Sequence, residues 1–438
     1  MYLERKADKE LVSWKESKSR KPLILRGARQ VGKSSAVRNF GKKFKYFIEI
    51  NLDESSDQRF LFENDLTISE IIEQLAVITK TPIISGETLL FIDEIQACIP
   101  AISTLRYFYE KFPDLHVIAA GSLLEFALSE IPSFGVGRVR YLFMYPFSFD
   151  EFLVANKEAG LLDVLNKATP VKSLAAIFHE KLKKYLKKFL IIGGMPEAVR
   201  TYVSKGDMLE VQRVLDDLIL SIQADFSKYK SRVPALRIKE VFDAVVLQIG
   251  CKFSYSYPNA TLTNIQIKEA LRLLEMAGLL YSVTHSACNG IPLGAEINTK
   301  KRKMLLFDTG IYQRILGLDI GMLLLDTDVN IVNKGNISEL FVGLELLKNT
   351  SCYEKHDLYY WQREEKNSQA EVDYVIQKQE KIIPLEVKAG TKGSMQSMYI
   401  FLNEKKREYG VRLSMENFSE IEKVKIYPLY ATRNLFFP

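Results

Sequence analysis

A segment near the start of the chain has the composition of a phosphate-binding loop. It follows the apolar run PLILR, fits the pattern GxxxxGK[ST], and comprises Gly27, Ala28, Arg29, Gln30, Val31, Gly32, Lys33 and Ser34. The pattern needs a strand before it and a helix after it, and the flanking residues predict both. Glycines let backbone N–H groups close around a β-phosphate, and the start of the helix adds positive potential. We expect Lys33 to bridge the β- and γ-phosphates of ATP and Ser34 to ligate Mg²⁺; the alternative is a chance match in a turn.

Further polar residues follow later apolar runs, where parallel strands place their ligands. Asp93 and Glu94 directly follow the apolar run LLFI. Asp93 would hold Mg²⁺ through water, and Glu94 would polarise the attacking water; alternatively the pair only caps the next helix. Ser122 ends HVIAAGS, so it is a candidate for contact with the γ-phosphate or the water, or a simple strand-end cap. Arg138 is a candidate cation for transition-state charge, offered within the chain or by a neighbouring subunit, or a solvated surface residue.

The last third of the chain carries a second constellation with possible chemistry. Glu386 lies thirteen positions after Asp373 and is followed by Val387 and Lys388, the outline of a PD-(D/E)xK nuclease core. Alternation along a strand puts Glu386 and Lys388 on one face. Asp373 and Glu386 would then bind a divalent metal and Lys388 would position the nucleophile, with Glu339 as an extra carboxylate. The alternatives are a nuclease-like fold that only binds, or charges alternating on a half-exposed strand.

The elements that must position these residues predict an α/β protein. Continuous apolar strands alternating with helices predict a parallel sheet covered on both faces, over residues 1–146. Residues 147–230 have helical periodicity and would form a lid over the nucleotide. Two helices and the strand-like segments IPLGAEINT and RKMLLFD predict a winged-helix-like module over 231–309. Strands and helices over 310–438 predict a restriction-endonuclease-like α/β domain.

Composition is ordinary for a globular chain of 438 residues, with 47% hydrophobic and 26% charged residues. The net charge of +6 permits a nucleic-acid partner without requiring one. The basic runs Lys183–Lys188 and Lys300–Lys303 are candidate phosphate contacts, although solvated faces explain them as well. Four scattered cysteines without a CxxC pair predict reduced thiols and no zinc site. A charged N-terminus and the lack of a long apolar run predict a cytoplasmic protein without a membrane span.

Several longer strings resemble a large prokaryotic family of AAA-type ATPases similar to the archaeal-type ATPases. They are PLILRGARQVGKS, LLFIDEIQ, LRYFYEKFPDLHVIAAGSLLEF, YPFSFDEFL and GGMPEAV. The segments KMLLFDTGI and AEVDYVI are similar to the C-terminal domain of unknown function in that family. The resemblance implies that Lys33, Ser34, Asp93 and Glu94 belong to the nucleotide site, with Ser122 on the sensor strand. Relatives often carry threonine where this chain has Ser34, and both residues offer a hydroxyl.

Three functional hypotheses follow from these patterns. The first is an ATPase that uses ATP and Mg²⁺ to drive a conformational change, coupled to DNA, as a monomer or an oligomer. The second is a nucleotide-gated binding or regulatory module with little turnover. The third is a metal-dependent nuclease acting through the C-terminal constellation.

Overall fold

The computed structural model describes residues 1–131, 137–229, 233–256, 262–319, 334–363, 370–390 and 393–436. The chain divides into two compact units. The N-terminal unit comprises Met1–Tyr145, Met276–Gly278 and Ser351–Lys355. The C-terminal unit comprises Pro146–Glu275, Leu279–Thr350 and His356–Pro438. Among the described helices, none combines the length and apolar character needed to cross a lipid bilayer.

The N-terminal unit is built on a five-stranded parallel sheet with the strand order β2-β3-β4-β1-β5. Its strands are β1 Leu23–Arg26, β2 Tyr46–Asn51, β3 Thr88–Asp93, β4 His116–Ala120 and β5 Arg140–Phe143. Its helices are α1 Lys6–Glu16, α2 Lys33–Gly41, α3 Ser56–Glu63, α4 Ile68–Ile78, α5 Ile99–Lys111 and α6 Leu124–Glu130. Every residue of β3 and β4 is buried, as expected for strands covered on both faces. The predicted α/β sheet is thereby confirmed.

Ten helices of the C-terminal unit lie in the described residues, and the first five fill the region predicted to be helical. They are α7 Phe149–Ala155, α8 Ala159–Asn166, α9 Ala176–Ile192, α10 Pro196–Lys205, α11 Met208–Asp225, α12 Ala235–Leu247, α13 Asn264–Met276, α14 Thr309–Ile315, α15 Lys334–Lys348 and α16 Gln396–Glu404. Helix α10 begins with a proline, which suits this position because an N–H in the first turn has no partner within the helix. The domain boundary predicted at 230 lies outside the described residues.

The strands of the C-terminal unit form a single mixed sheet with the order β12-β13-β11-β10-β9-β8-β6-β7. They are β6 Leu280–Ser286, β7 Ile297–Leu306, β8 Leu358–Gln362, β9 Glu371–Lys378, β10 Lys381–Val387, β11 Gly410–Ser414, β12 Ser419–Ile421 and β13 Val424–Pro428. The antiparallel hairpin β6–β7 joins the remaining strands because β6 pairs with β8 in parallel. The sheet therefore continues across the boundary predicted at 309, and the winged-helix-like module stays a prediction.

One predicted strand is only partly present. Within IPLGAEINT, residues Leu293–Glu296 form a turn of 3₁₀-helix, and β7 begins only at Ile297. The segment carries Pro292 and Gly294, which weaken a strand and favour a turn. Leu293 is nevertheless buried, although it lies outside the sheet.

Candidate functional site

The loop from Gly27 to Ser34 connects β1 to α2 and has the backbone that its glycines allow. Gly27 has φ +143° and Gly32 has φ +93°, values that L side chains rarely adopt. A β-carbon on Gly27 would lie 2.0 Å from the carbonyl oxygen of Met144. A side chain at this position would therefore collide with the main chain next to β5. The predicted strand, loop and helix are confirmed in this order.

Lys33 begins α2, and its ammonium group turns back into the loop. Nζ donates hydrogen bonds to the carbonyl oxygens of Gly27 at 2.9 Å and Ala28 at 2.8 Å. Burial lowers the pKa of Lys33 to about 8, although the charges of Glu94 and Asp93 raise it. The loop thus holds a buried cation at the start of a helix, where anions are favoured.

The acidic pair lies at the end of β3, as predicted. The side chain of Ser34 donates a hydrogen bond to the carboxylate of Asp93. The Oδ1 atom of Asp93 also accepts a hydrogen bond from the backbone N–H of Glu94 at 3.1 Å. Burial raises the pKa of Asp93, and the hydrogen bond from Ser34 opposes this rise. Ser34 and Asp93 therefore present a hydroxyl and a carboxylate side by side.

Glu94 and Ser122, which follow two neighbouring strands, are brought together by the sheet. Oε2 of Glu94 accepts hydrogen bonds from Ser122 Oγ at 3.2 Å and from Ser122 N at 3.4 Å. A third donor is Gln96 Nε2, at 2.5 Å from the same oxygen. A β-carbon at Gly121 would lie 1.9 Å from the side-chain oxygen of Gln96, so a side chain at position 121 would displace this amide. The carboxylate of Glu94 is consequently fixed by donors from two loops.

Two residues that the sequence patterns did not single out also support the loop. Arg5 is buried and donates to the carbonyl oxygens of Val31 at 2.9 Å and Tyr145 at 2.7 Å. Gly278 has φ +72°, and a β-carbon there would lie 3.0 Å from the backbone nitrogen of Ala28. Gln96 was not singled out either; it contacts Glu94 rather than the loop, and its place two residues after Glu94 is the one signal that could have identified it. Arg5 and Gly278 are too far from the motif in sequence to be found by its spacing.

Arg138 lies at the edge of the sheet away from the phosphate-binding loop. It precedes β5, which runs parallel to β1 with Leu23 paired to Arg140, so it is near the start of these strands. The loop, in contrast, follows their ends. Arg138 forms a salt bridge with Glu110, in the last turn of α5. Within one chain this arginine is thus not placed beside the phosphates, and only the role in a neighbouring subunit remains a prediction.

The second constellation, in the C-terminal unit, is also assembled. The N–H of Val387 donates to Asp373 Oδ2 at 2.7 Å, and Lys388 Nζ contacts Glu386 Oε1 at 2.7 Å. Glu339 reaches the same place from α15, where its oxygen Oε1 lies 2.8 Å from Lys303 Nζ. Burial raises the pKa of Glu339 and of Glu386 to about 7 in each case. Among the described residues, however, no three His, Cys, Asp or Glu side chains are arranged to hold a metal ion.

The basic runs are only partly available to a partner. Lys303 is 1% exposed, so it does not contribute to a phosphate-binding surface. On α9, Lys183 pairs with Glu180, and Lys188 lies over the ring of Tyr185. The alternative of a solvated helix face therefore accounts for much of the charge on α9.

Comparison with protein families supplies the class of the N-terminal unit. Residues 19–153 match the model of an AAA domain family. The match covers less than half of the chain and concerns this segment alone. The matched segment contains the loop, the acidic pair and Ser122. Residues 183–320 and 334–432 match two domains of unknown function, DUF8612 and DUF4143 respectively.

Similarity to proteins of known structure adds little to this assignment. No curated protein matches the chain significantly. The Orc1 protein of Aeropyrum pernix in complex with DNA is 13% identical, over 74% of this chain and 95% of that one, with a TM-score of 0.27. A mutant of Thermotoga maritima RuvB is 16% identical over 64% and 89%, with a TM-score of 0.31. Drosophila ORC bound to DNA is 15% identical over 72% and 88%, with a TM-score of 0.25. Scores this low carry no inference about function.

Proposed function

We propose that this chain binds ATP with Mg²⁺ at the loop Gly27–Ser34 and hydrolyses it, with Glu94 as the general base. The observation that carries the proposal is the fixed carboxylate of Glu94. Three donors from Ser122 and Gln96 hold it at the same sheet edge as the buried ammonium of Lys33. A positioned carboxylate beside a phosphate-binding loop is the arrangement that water activation requires.

The residues of the loop are suited to bind a nucleoside triphosphate. The ammonium of Lys33 now satisfies its donors with two loop carbonyl oxygens, and phosphate oxygens would replace these neutral acceptors with charged ones. Ser34 and Asp93 offer the hard oxygen atoms that Mg²⁺ prefers, and they already contact each other. When bound, Mg²⁺ neutralises charge on the phosphates.

Glu94, in this proposal, accepts the proton of the attacking water, and Ser122 and Gln96 keep its carboxylate in place. Ser122 therefore acts on the base, whereas the sequence suggested contact with the phosphate or the water. The cation for the transition state would come from Arg138 of a second copy, since Arg138 of the same chain lies at the opposite sheet edge. This part of the proposal requires an oligomer.

The proposal is tested by steady-state phosphate release and ATP binding in three variants. Lys33→Ala is expected to lose ATP binding, because the buried cation is removed. Glu94→Gln is expected to keep binding and to lose turnover by roughly 10² to 10⁴-fold, the usual contribution of a general base. Glu87→Gln is the matched control and should keep both binding and turnover. Glu87 directly precedes β3, whereas Glu94 directly follows it, and Glu87 pairs at the surface with Lys45. Turnover retained in both Lys33→Ala and Glu94→Gln would contradict the site assignment.

Coupling of hydrolysis to a conformational change and to DNA remains a hypothesis from the sequence. The regulatory alternative, a nucleotide-gated module with little turnover, differs from it in one measurable respect. Phosphate release measured with and without duplex DNA separates them, because a DNA-coupled ATPase is accelerated by DNA whereas the regulatory module stays slow in both conditions.

A further inference from the structure

The carboxylates of the C-terminal unit surround the side chain of a buried lysine. Lys303, on β7, places Nζ 2.6 Å from Glu371 Oε1, 2.8 Å from Glu339 Oε1 and 3.8 Å from Asp373 Oδ1. Only 1% of Lys303 is exposed. The lysine comes from the edge strand of the sheet, whereas Asp373 and Glu371 lie on β9 and Glu339 lies on α15. Three elements distant in sequence thus converge on one ammonium group.

The position of this ammonium group conflicts with a divalent ion. A metal in the predicted nuclease site would need carboxylate oxygens of Asp373 and its neighbours within about 2.0 to 2.6 Å. The space between Glu339 and Asp373 is instead occupied by Lys303 Nζ, which contacts both. A divalent ion bound between Glu339 and Asp373 would lie beside the ammonium group of Lys303, and like charges in a buried site repel strongly. The site can therefore hold either the ammonium group of Lys303 or a metal ion, but not both. Because Lys303 belongs to the chain, its ammonium group is always present there.

The charges of the cluster are compensated by internal groups. Burial alone would lower the pKa of Lys303, but the charges of Glu339, Asp373 and Glu371 outweigh it and raise that pKa. Lys388 pairs in turn with Glu386 Oε1 at 2.7 Å. The second oxygen of Glu386 is buried and has no hydrogen-bond partner among the described residues, which suits a carboxyl group whose pKa burial raises to about 7. Buried carboxylates need a partner charge or a proton, and Lys303 and Lys388 supply partner charges in this cluster.

We propose that Lys303 is the resident cation of this cluster, that it fills the position a divalent metal would need, and that the nuclease-like constellation is a metal-free structural site. The C-terminal unit then serves binding or conformational change and does not cleave nucleic acid through these residues. The proposal concerns residues outside the segment that matches the AAA domain family and does not depend on ATP hydrolysis.

The test is a titration of the nucleotide-free, full-length protein with Mn²⁺, followed by electron paramagnetic resonance of the free ion. We expect the wild-type chain to bind no Mn²⁺ at the cluster. Lys303→Met removes the ammonium and leaves the carboxylates, so this variant should gain a Mn²⁺ site that a further Asp373→Asn substitution removes. Lys300→Met is the matched control, because Lys300 is exposed on the same strand, and it should behave as the wild type does.

Two results would overturn the proposal. One is a Mn²⁺ site in the wild-type chain that is lost in Asp373→Asn, because the lysine would then not exclude the metal. The other is the absence of binding in both the wild type and folded Lys303→Met, because the position would then not be a cation site that the lysine fills. If Lys303→Met does not fold, Lys303→Gln, which keeps a hydrogen-bond donor, takes its place, and a Mn²⁺ site in the wild-type chain that Asp373→Asn removes would still overturn the proposal.

Discussion

Replacing Ser122 with alanine tests whether this residue acts on the general base or on the nucleotide. The substitution removes the hydroxyl that donates to Glu94 Oε2 at 3.2 Å and leaves the backbone N–H of residue 122 and the amide of Gln96 in place. If Ser122 only holds the carboxylate, turnover should fall while the affinity for ATP stays unchanged. If Ser122 touches the γ-phosphate, affinity should fall as well.

The size of the effect follows from the geometry of the three donors. A hydrogen bond to a charged group contributes roughly 1.5 to 3 kcal/mol, and the 3.2 Å contact of Ser122 is long for a hydroxyl donor. We therefore take the lower value, about 1.5 kcal/mol, which corresponds to about a tenfold loss of kcat. Gln96→Ala removes the shorter contact of 2.5 Å and should cost more, roughly 30- to 100-fold. The double variant should lose less than the product, since both donors act on one oxygen.

The assay is steady-state phosphate release for kcat, together with equilibrium binding of a non-hydrolysable ATP analogue. Ser129→Ala is the control, because Ser129 is exposed on α6 and its hydroxyl donates only to the local carbonyl oxygen of Phe126. Wild-type turnover in both Ser122→Ala and Gln96→Ala would refute the reasoning, as would a loss of analogue affinity equal to the loss of kcat.

Two further predictions concern the phosphate-binding loop. Because burial lowers the pKa of Lys33 to about 8, the free protein loses this cation as pH rises through 8; ATP affinity should be constant below that pH and fall by up to about tenfold per pH unit above it. Calorimetric titration with ATP from pH 6.5 to 9.5 measures this dependence. Lys33→Met has no ammonium group to titrate, so an equal fall of its residual ATP affinity above pH 8 would contradict the prediction. Gly27→Ala should abolish ATP binding, because its β-carbon would lie 2.0 Å from the Met144 carbonyl oxygen. Gly86→Ala, at φ +83° with no atom within 4 Å of its β-carbon, carries the same kind of backbone strain without the collision, so equal binding losses in the two variants would argue against the collision.

The sequence alone determined the parts of the site that depend on local structure. The loop from Gly27 to Ser34 needs positive φ at two glycines and a helix start at Lys33, and all of these are encoded within eight consecutive residues. The carboxylates of Asp93 and Glu94 were located in the same way, because an uninterrupted apolar run marks a buried strand and its end marks the sheet edge. Strand β11 was missed, although all of its residues are buried, because GVRLS is short and contains a charged residue.

Only the tertiary structure decided which distant residues meet. Sheet order places β3 beside β4, and this neighbourhood brings Ser122 to Glu94, a contact that no spacing in the chain encodes. The parallel pairing of β1 with β5 likewise sends Arg138 to the far edge of the sheet. The sequence places Lys303 in a basic run that could lie at the surface. In the structure, the pairing of β6 with β7 and β8 buries Lys303 among Glu339, Glu371 and Asp373. Periodicity specifies how each segment folds and which of its faces is apolar, whereas strand order and register follow from the packing of the whole chain, and the contacts of both clusters depend on that packing.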